Sequence, residues 1–193
     1  MLAAAREVFA ANGLPGATIE QVARRAGVSR QAVYEQFGDK AALFEQTVSD
    51  VEELAYRTIA ARGEQDAGLD LRTWARRNYA ELFAFVAEHP DAMPVLQEAE
   101  RAGIPALTRL RSRLAEVYTD ASRRRWAAHG VEPGRADTAL VAMYFAMTEA
   151  LVTLSWPEEP PDPEALIDLL TEFTVGGILR IYNHAPEVLA RIR

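Results

Sequence analysis

Residues 18–37 read TIEQVARRAGVSRQAVYEQF, and their spacing predicts two short helices joined by a tight turn. Thr18 and Gln21 have the separation of a capping box, in which the hydroxyl accepts from a backbone N–H three residues on and the glutamine returns the bond. Ile19, Val22, Ala23 and Ala26 then share one helical face. Gly27 supplies the positive φ that lets the chain reverse within three or four residues, and Ser29 caps the next helix, which runs to Phe37. Ala23 is small where the two helices cross, and Val22, Val28 and Val33 form the core they share. This is a helix-turn-helix arrangement. It leaves Arg30, Gln31, Tyr34 and Glu35 on the outer face of the second of the two helices. A helix of this kind enters the major groove of DNA by its N-terminal end. There arginine bonds bidentately to guanine, glutamine to adenine, and a carboxylate accepts from cytosine. Ser29, Thr18 and the helix N-termini are placed to hold phosphates, flanked by Tyr34 and by Lys40, the only lysine in the chain.

Outward from this stretch the apolar spacing stays helical and never settles into a period-two alternation, so the expectation is an all-α chain of about nine helices. A first helix carries Leu2, Ala5 and Phe9 on one face and ends at Asn12 and Gly13, residues suited to a left-handed cap. Gly38 stops the third helix, and Asp39 caps a fourth that runs through Leu43, Phe44, Val51 and Leu54 to about Arg62. A polar linker from Gly63 to Gly68 follows. The remaining helices are expected near Leu69–His89, Pro94–Ala102, Ile104–His129, Pro133–Trp156 and Pro163–Tyr182. Pro157, Pro160, Pro161 and Pro163 stiffen the last connection. The predicted organisation is a helix-turn-helix domain over residues 1–48 and a larger helical domain over 49–193.

Residues 2–48, LAAAREVFAANGLPGATIEQVARRAGVSRQAVYEQFGDKAALFEQTV, resemble the N-terminal domain of the tetracycline-repressor (TetR) family of transcriptional regulators. The likeness joins several linked elements: Phe9 with Asn12 and Gly13, Thr18 at the second helix, AGVS at the turn, Tyr34 and Phe37 in the third helix, and Asp39-Lys40 opening the fourth. Carried over by position, the resemblance assigns Thr18, Ser29, Tyr34 and Lys40 to the phosphate backbone and Arg30 and Gln31 to the bases. It further implies a homodimer on a palindromic double-stranded DNA operator, a C-terminal ligand-binding domain, and a one-component repressor released by a small, largely apolar effector. Two positions depart from the family pattern. Members usually carry a basic segment ahead of the first helix, whereas here that helix opens at Met1, so the start lies upstream or DNA is bound without such an arm. Ala32 stands where Gly, Thr or Ser is common, and it has no side-chain donor for a phosphate.

Composition bounds the alternatives. The 193 residues are 49% apolar and 25% charged, with no cysteine, so disulfides, thiolate metal sites and cysteine nucleophiles are excluded. Net charge is −7, but residues 1–48 are neutral, so all of the excess acid lies in residues 49–193. Met1 to Ala5 reach Arg6 too soon for a secretory signal, which points to the cytoplasm. Residues 139–156 are apolar apart from Glu149, yet they include Thr148, Thr153 and Ser155 and sit at the short limit for a bilayer, so a buried helix and no membrane association is expected. Phosphate-cradling, dinucleotide and nucleophile-elbow motifs are absent, so the chain does not read as an enzyme. His89, His129 and His184 are scattered, none with a glutamate three residues before it, and neither a metal nor a cofactor is expected.

The C-terminal part is rich in aromatic and sulfur side chains. Trp74, Tyr79, Phe83, Met93, Tyr118, Met143 and Met147, with the polar Asn78 and Glu149, are the candidates for a ligand site between the fifth, seventh and eighth helices; Tyr144 and Trp126 share the pattern. Thr148 and Glu149 are expected to be caught inside with Asn78. The eighth and ninth helices are equally apolar, and Gly176 and Gly177 interrupt the ninth at a cost in helix stability that close approach of another helix explains. Leu151, Leu166, Leu170, Phe173, Gly176 and Gly177 are therefore the candidates for a four-helix homodimer interface. Arg123, Arg124 and Arg125 read as a solvated face. The competing reading is a helical small-molecule-binding protein, or an enzyme on the same scaffold, that does not bind DNA.

Overall fold

A computed structural model describes residues 1–63, 69–127, 135–152 and 161–192. Among them are ten helices and no strand: α1 (Leu2–Gly16), α2 (Ile19–Ala26), α3 (Arg30–Phe37), α4 (Lys40–Gly63), α5 (Leu71–Glu88), α6 (Ala92–Arg101), α7 (Ala106–Ala127), α8 (Arg135–Val152), α9 (Pro163–His184) and α10 (Pro186–Ala190). The short α10, opened by Pro186, is one helix more than the spacing predicts. Most of the Gly63–Gly68 linker, Pro157, Pro160, His129 and the side chain of Trp126 lie outside the described residues. No helix among the described residues is long and apolar enough to cross a membrane.

Two compact units emerge from the packing: Met1–Arg57 with Val86–Leu110, and Thr58–Phe85 with Arg111–Arg193. The expected boundary at residue 48 falls inside α4, which is continuous from Lys40 to Gly63.

In the first unit, Phe9 of α1 meets Phe44 of α4 edge to face at 4.9 Å, and Val22, Val33, Leu43, Val48 and Val51 are almost wholly excluded from water around them. Aromatic pairs of this geometry favour one arrangement of their helices, beyond the gain from burial alone. Helix α6 adds Val95 and Leu96, both fully buried, and packs along α1. The first helix does break at Gly13 (φ 64°, ψ 174°), but a further helical turn through Pro15 extends it to Gly16. Pro15 suits that position because the first turn of a helix leaves its N–H groups without helical partners.

In the second unit, Tyr79 of α5 stacks on Tyr144 of α8 at 4.9 Å, and Tyr118 of α7 lies 5.4 Å from the same ring. Thr148, Leu166, Ile167 and Leu170 close this core. On α9, Asp162 caps the N-terminus by accepting from the Glu164 N–H, with Pro163 in the first turn. The side chain of Arg76 reaches from α5 to Glu164 at 2.5 Å and Asp168 at 3.2 Å on α9; these are exposed pairs, each contributing little.

Candidate nucleic-acid interface and ligand cavity

The turn between α2 and α3 is built by local bonds. Thr18 Oγ1 accepts from the Gln21 N–H at 3.2 Å, while Gln21 Oε1 accepts from the Thr18 N–H at 2.7 Å, closing the capping box. Gly27 sits at φ 67° and ψ 31°, a conformation that would strain any side chain, and nothing crowds it. Ser29 Oγ accepts from the Ala32 N–H at 3.1 Å and starts α3. Only Val33 of α3 is buried, so the helix lies on the unit by one side and presents the other to solvent.

That outer side carries Arg30, Gln31, Tyr34 and Glu35, all exposed. Gln31 Nε2 donates to Glu35 Oε1 at 2.7 Å, and Arg30 lies 3.7 Å from Glu20 with both groups in water. Such surface contacts hold a side chain by about 1 kcal/mol or less and yield to a competing partner. Thr18 and Ser29 are exposed at the N-termini of α2 and α3. Lys40 is differently placed. It is half-buried, and its Nζ donates to the Leu14 carbonyl at 2.8 Å and the Ala17 carbonyl at 3.0 Å, with the Pro15 carbonyl farther away at 3.5 Å. Arg25 pairs with Glu7 and Arg24 stands exposed on α2.

In the second unit a cavity of about 90 Å³ lies among α5, α7, α8 and α9. Trp74, Tyr118, Met143 and Met147 line it, as the spacing predicts, together with Leu71, Leu140, Val141, Tyr144 and Ile178. The polar side chains of its lining are those of Ser122, Thr174, Tyr118 and Tyr144, with their hydroxyls, and Trp74, with its indole N–H, and none of its lining residues is charged. Beneath it, Asn78 Oδ1 accepts from the Tyr118 hydroxyl at 2.9 Å and Asn78 Nδ2 donates to the Trp74 carbonyl at 2.7 Å. The Tyr79 hydroxyl shares a 2.6 Å bond with Thr174 Oγ1; burial pushes its pKa up to about 12, and burial also raises that of Tyr144. Both phenols are neutral at any physiological pH.

The other expected lining residues sit elsewhere. Phe83 is buried in α5 away from the cavity, and Met93 belongs to α6 in the first unit. Glu149 is not enclosed. About a third of its side chain is exposed (32%), it pairs with Arg111 of α7, and with Arg111, Ser112 and Phe145 it lines a second, more open pocket of about 310 Å³. Leu71, Ser122, Ile178 and Ile181 line the cavity without having been expected there; they are ordinary apolar or small residues that no local pattern distinguishes.

Of the interface candidates, Leu166 and Leu170 are turned into their own unit, at 7% and 2% exposure, and Leu151 is half-buried. Phe173 is 63% exposed, and a Cβ built on Gly176 or Gly177 meets no described atom within 4 Å, although Phe173 and Gly177 also line the cavity. Helical geometry places Ala165, Leu169, Phe173 and Gly176 in one outward stripe, with Leu169 at 55% exposure. On α8, Ala142, Met143, Ala146 and Ala150 form a similar exposed stripe.

Residues 1–47 match the model of the family described as bacterial regulatory proteins, tetR family. Over 37 residues the chain is 60% identical to an HTH-type transcriptional regulator, TtgW, of Pseudomonas putida, a match that covers 19% of this chain and 28% of that protein, well under two thirds of its length. Among solved structures, a TetR-like transcriptional regulator from Rhodococcus sp. RHA1 aligns with a TM-score of 0.72 at 23% identity, covering 92% of this chain and 93% of that one. The TetR-family regulator PfmR of Thermus thermophilus gives 0.70 at 19% identity over 91% and 96%. The regulator FadR of Bacillus subtilis, solved in complex with stearoyl-CoA, gives 0.72 at 20% identity over 91% and 96%.

Proposed function

From a chain whose first 47 residues match the TetR family of bacterial regulatory proteins, and which shares the fold of a TetR-like transcriptional regulator over 92% of its length, we propose a TetR-family one-component repressor. It binds a palindromic DNA operator as a homodimer and leaves it when a small, uncharged, largely apolar effector fills the cavity of the second unit. Residues 1–48 do the DNA binding in this reading, and residues 49–193 the ligand binding and dimerisation. The observation that carries it is the α3 surface, where a helix capped by Ser29 and seated through Val33 offers Arg30, Gln31 and Tyr34 to solvent. Arg30 and Gln31 read base edges; Thr18, Ser29, Tyr34 and Lys40 hold phosphates.

The effector class follows from the cavity lining. With no charged side chain among its lining residues, and hydroxyls and the Trp74 indole N–H as its polar side-chain groups, an ionised ligand would lose its hydration without gaining a counter-charge. The Bacillus subtilis relative was solved with stearoyl-CoA; this cavity instead suits a compact neutral molecule carrying one or two hydrogen-bonding atoms. Three helices, α4, α5 and α7, each run without interruption through segments of both units, so a shift imposed at the cavity has continuous backbone along which to act. Moving the DNA-competent population from 1:99 to 99:1, or the reverse, takes about 5.5 kcal/mol of differential ligand affinity.

The test is fluorescence anisotropy of the purified protein against the intergenic duplex beside its own gene, across salt, with a scrambled duplex of equal length as control. Tight, sequence-dependent binding that Arg30→Ala or Gln31→Ala reduces toward the scrambled level is the expected result. Equal binding of both duplexes by wild type and variants would refute the reading and favour a helical small-molecule-binding protein.

A further inference from the structure

The contact between α6 and the break in α1 has a geometry that packing alone does not require. At Gly13 the chain turns to φ 64° and ψ 174°, which releases the Leu14 N–H from the helical ladder. Glu98, on α6 and 84 positions along the chain, takes it: its Oε1 accepts from Leu14 N at 2.8 Å. The second oxygen, Oε2, accepts from Arg101 Nε at 2.9 Å, so the two oxygens have separate partners. Glu98 is 8% exposed, and a Cβ built on Gly13 would come to 3.1 Å from Oε1. The absence of a side chain at residue 13 is what lets the carboxylate reach the backbone. The same Leu14 residue is held from its other side, because its carbonyl accepts from Lys40 Nζ at 2.8 Å, and Ala17, the residue before Thr18, offers the ammonium its second carbonyl at 3.0 Å. At the far end of α6, Arg6 Nε donates to Asp91 Oδ2 at 2.7 Å, so α6 is tied to α1 at two points.

We propose that Glu98 is a positioning residue for DNA binding: through the Gly13–Ala17 turn it sets where the Lys40 ammonium sits and how it meets a phosphate. This rests on the reading of Lys40 as a phosphate contact. An ammonium has three N–H donors; carbonyls within 3.0 Å engage two of them, and the third reaches only the Pro15 carbonyl at 3.5 Å. A phosphate takes that third donor if the other two stay fixed. They stay fixed because Glu98 grips the turn that supplies the carbonyls. Without the grip the Leu14 N–H loses its acceptor, the turn loosens, and the lysine side chain regains the rotamer freedom that phosphate binding must then remove.

The chain's single lysine makes the test direct. Protein labelled at the lysine ε-carbon gives one side-chain resonance, and Glu98→Met, which keeps volume but removes the acceptor, should move and narrow it; Glu98→Gln, whose amide oxygen still accepts from Leu14, should leave it near its wild-type position. In anisotropy titrations with the intergenic duplex and with a scrambled 30-bp duplex, Glu98→Met should weaken binding to both by roughly three- to tenfold and lower the slope of log K against log salt by about one, the loss of one phosphate contact. Lys40→Met should do the same, the double variant no more than either, and Glu98→Gln should stay within about twofold of wild type. Should Glu98→Met fail to fold, Glu98→Ala is read by the same criteria. Losses that add in the double variant, a salt slope unchanged by Glu98→Met, or an unmoved Lys40 resonance would overturn the proposal. If wild type binds neither duplex, the DNA-binding reading fails and this role with it. If wild type binds and only the coupling is missing, Glu98 alone is wrongly assigned.

Discussion

Leu169→Glu tests the proposed dimer at a position whose effect can be worked from exposure. Leu169 lies in the outward stripe of α9 between Ala165 and Phe173, is 55% exposed in the single chain, and does not line the cavity. Phe173 is more exposed at 63% but lines the cavity, so changing it would mix two effects. Full burial of a leucine is worth about 2–3 kcal/mol, so with 55% of the residue exposed about 1–1.5 kcal/mol remains for a partner to supply, and a two-fold interface counts it twice, about 2–3 kcal/mol in all. Glutamate forfeits that gain and brings two carboxylates out of water, so the dimer constant should weaken by at least about a hundredfold. The chain itself should unfold within about 0.5 kcal/mol of wild type, as surface changes do. Sedimentation equilibrium at micromolar concentrations measures the first quantity and urea unfolding the second. A wild-type chain that is monomeric at tens of micromolar, or a variant with an unaltered dimer constant, refutes the assignment of this face.

Three further outcomes are expected. Thr18→Ala removes the acceptor for the Gln21 N–H and should cost about 1 kcal/mol in chemical unfolding, with Thr18→Ser restoring most of it; equal stability of all three would show the cap to be idle. Met147→Trp places an indole in the cavity of about 90 Å³ and should abolish release of DNA by any effector while leaving operator affinity in its absence unchanged, as read by anisotropy with and without a neutral apolar compound that releases wild type. The Glu98 carboxyl is held below its ordinary pKa of 4.5, chiefly by the Leu14 N–H and also by Arg101. A carboxyl depressed in the folded state stabilises it above that value and ceases to do so as pH falls through the folded pKa. Wild type should therefore be more stable than Glu98→Gln at neutral pH, with the two converging on acidification; parallel stability curves would contradict this.

What was legible in the sequence divides by the distance over which each signal acts. The caps at Thr18 and Ser29, the left-handed turn at Gly27 and the stop at Gly38 are written within four residues each, and the structure shows every one of them. Convergence of Trp74, Tyr118 and Tyr144 follows from helical spacing on three long helices. Met93 and Glu149 share that spacing, but periodicity says which residues lie together on a helix, not what the helix faces. Glu149 finds its arginine on α7, 38 positions away, and Met93 sits on a helix whose partner is α1. Lys40 shows the same limit on a smaller scale: its position in the motif is plain, while its bonds to Leu14 and Ala17 depend on a turn held from α6.

The ninth helix is the instructive case, because its lack of a readable polar face is itself informative. Leu166, Leu170 and Val175 cover one side of α9 and Leu169, Phe173 and Leu179 another, so no single amphipathic stripe tells the inner side from the outer. The structure sends the first set inward and leaves the second exposed next to Gly176 and Gly177, where among the described residues no atom lies within 4 Å of a built Cβ. An exposed Leu or Phe alone asks for no explanation. A continuous stripe of them is different when it lies beside two glycines that weaken their helix, with a second stripe of Ala142, Met143, Ala146 and Ala150 on α8. Small residues on both helices permit close approach, and bulky ones between them provide area to bury. In the proposed homodimer a second copy of the same face would meet both requirements at once, because a two-fold interface uses one patch twice and bulky side chains of one copy could pack against small residues of the other.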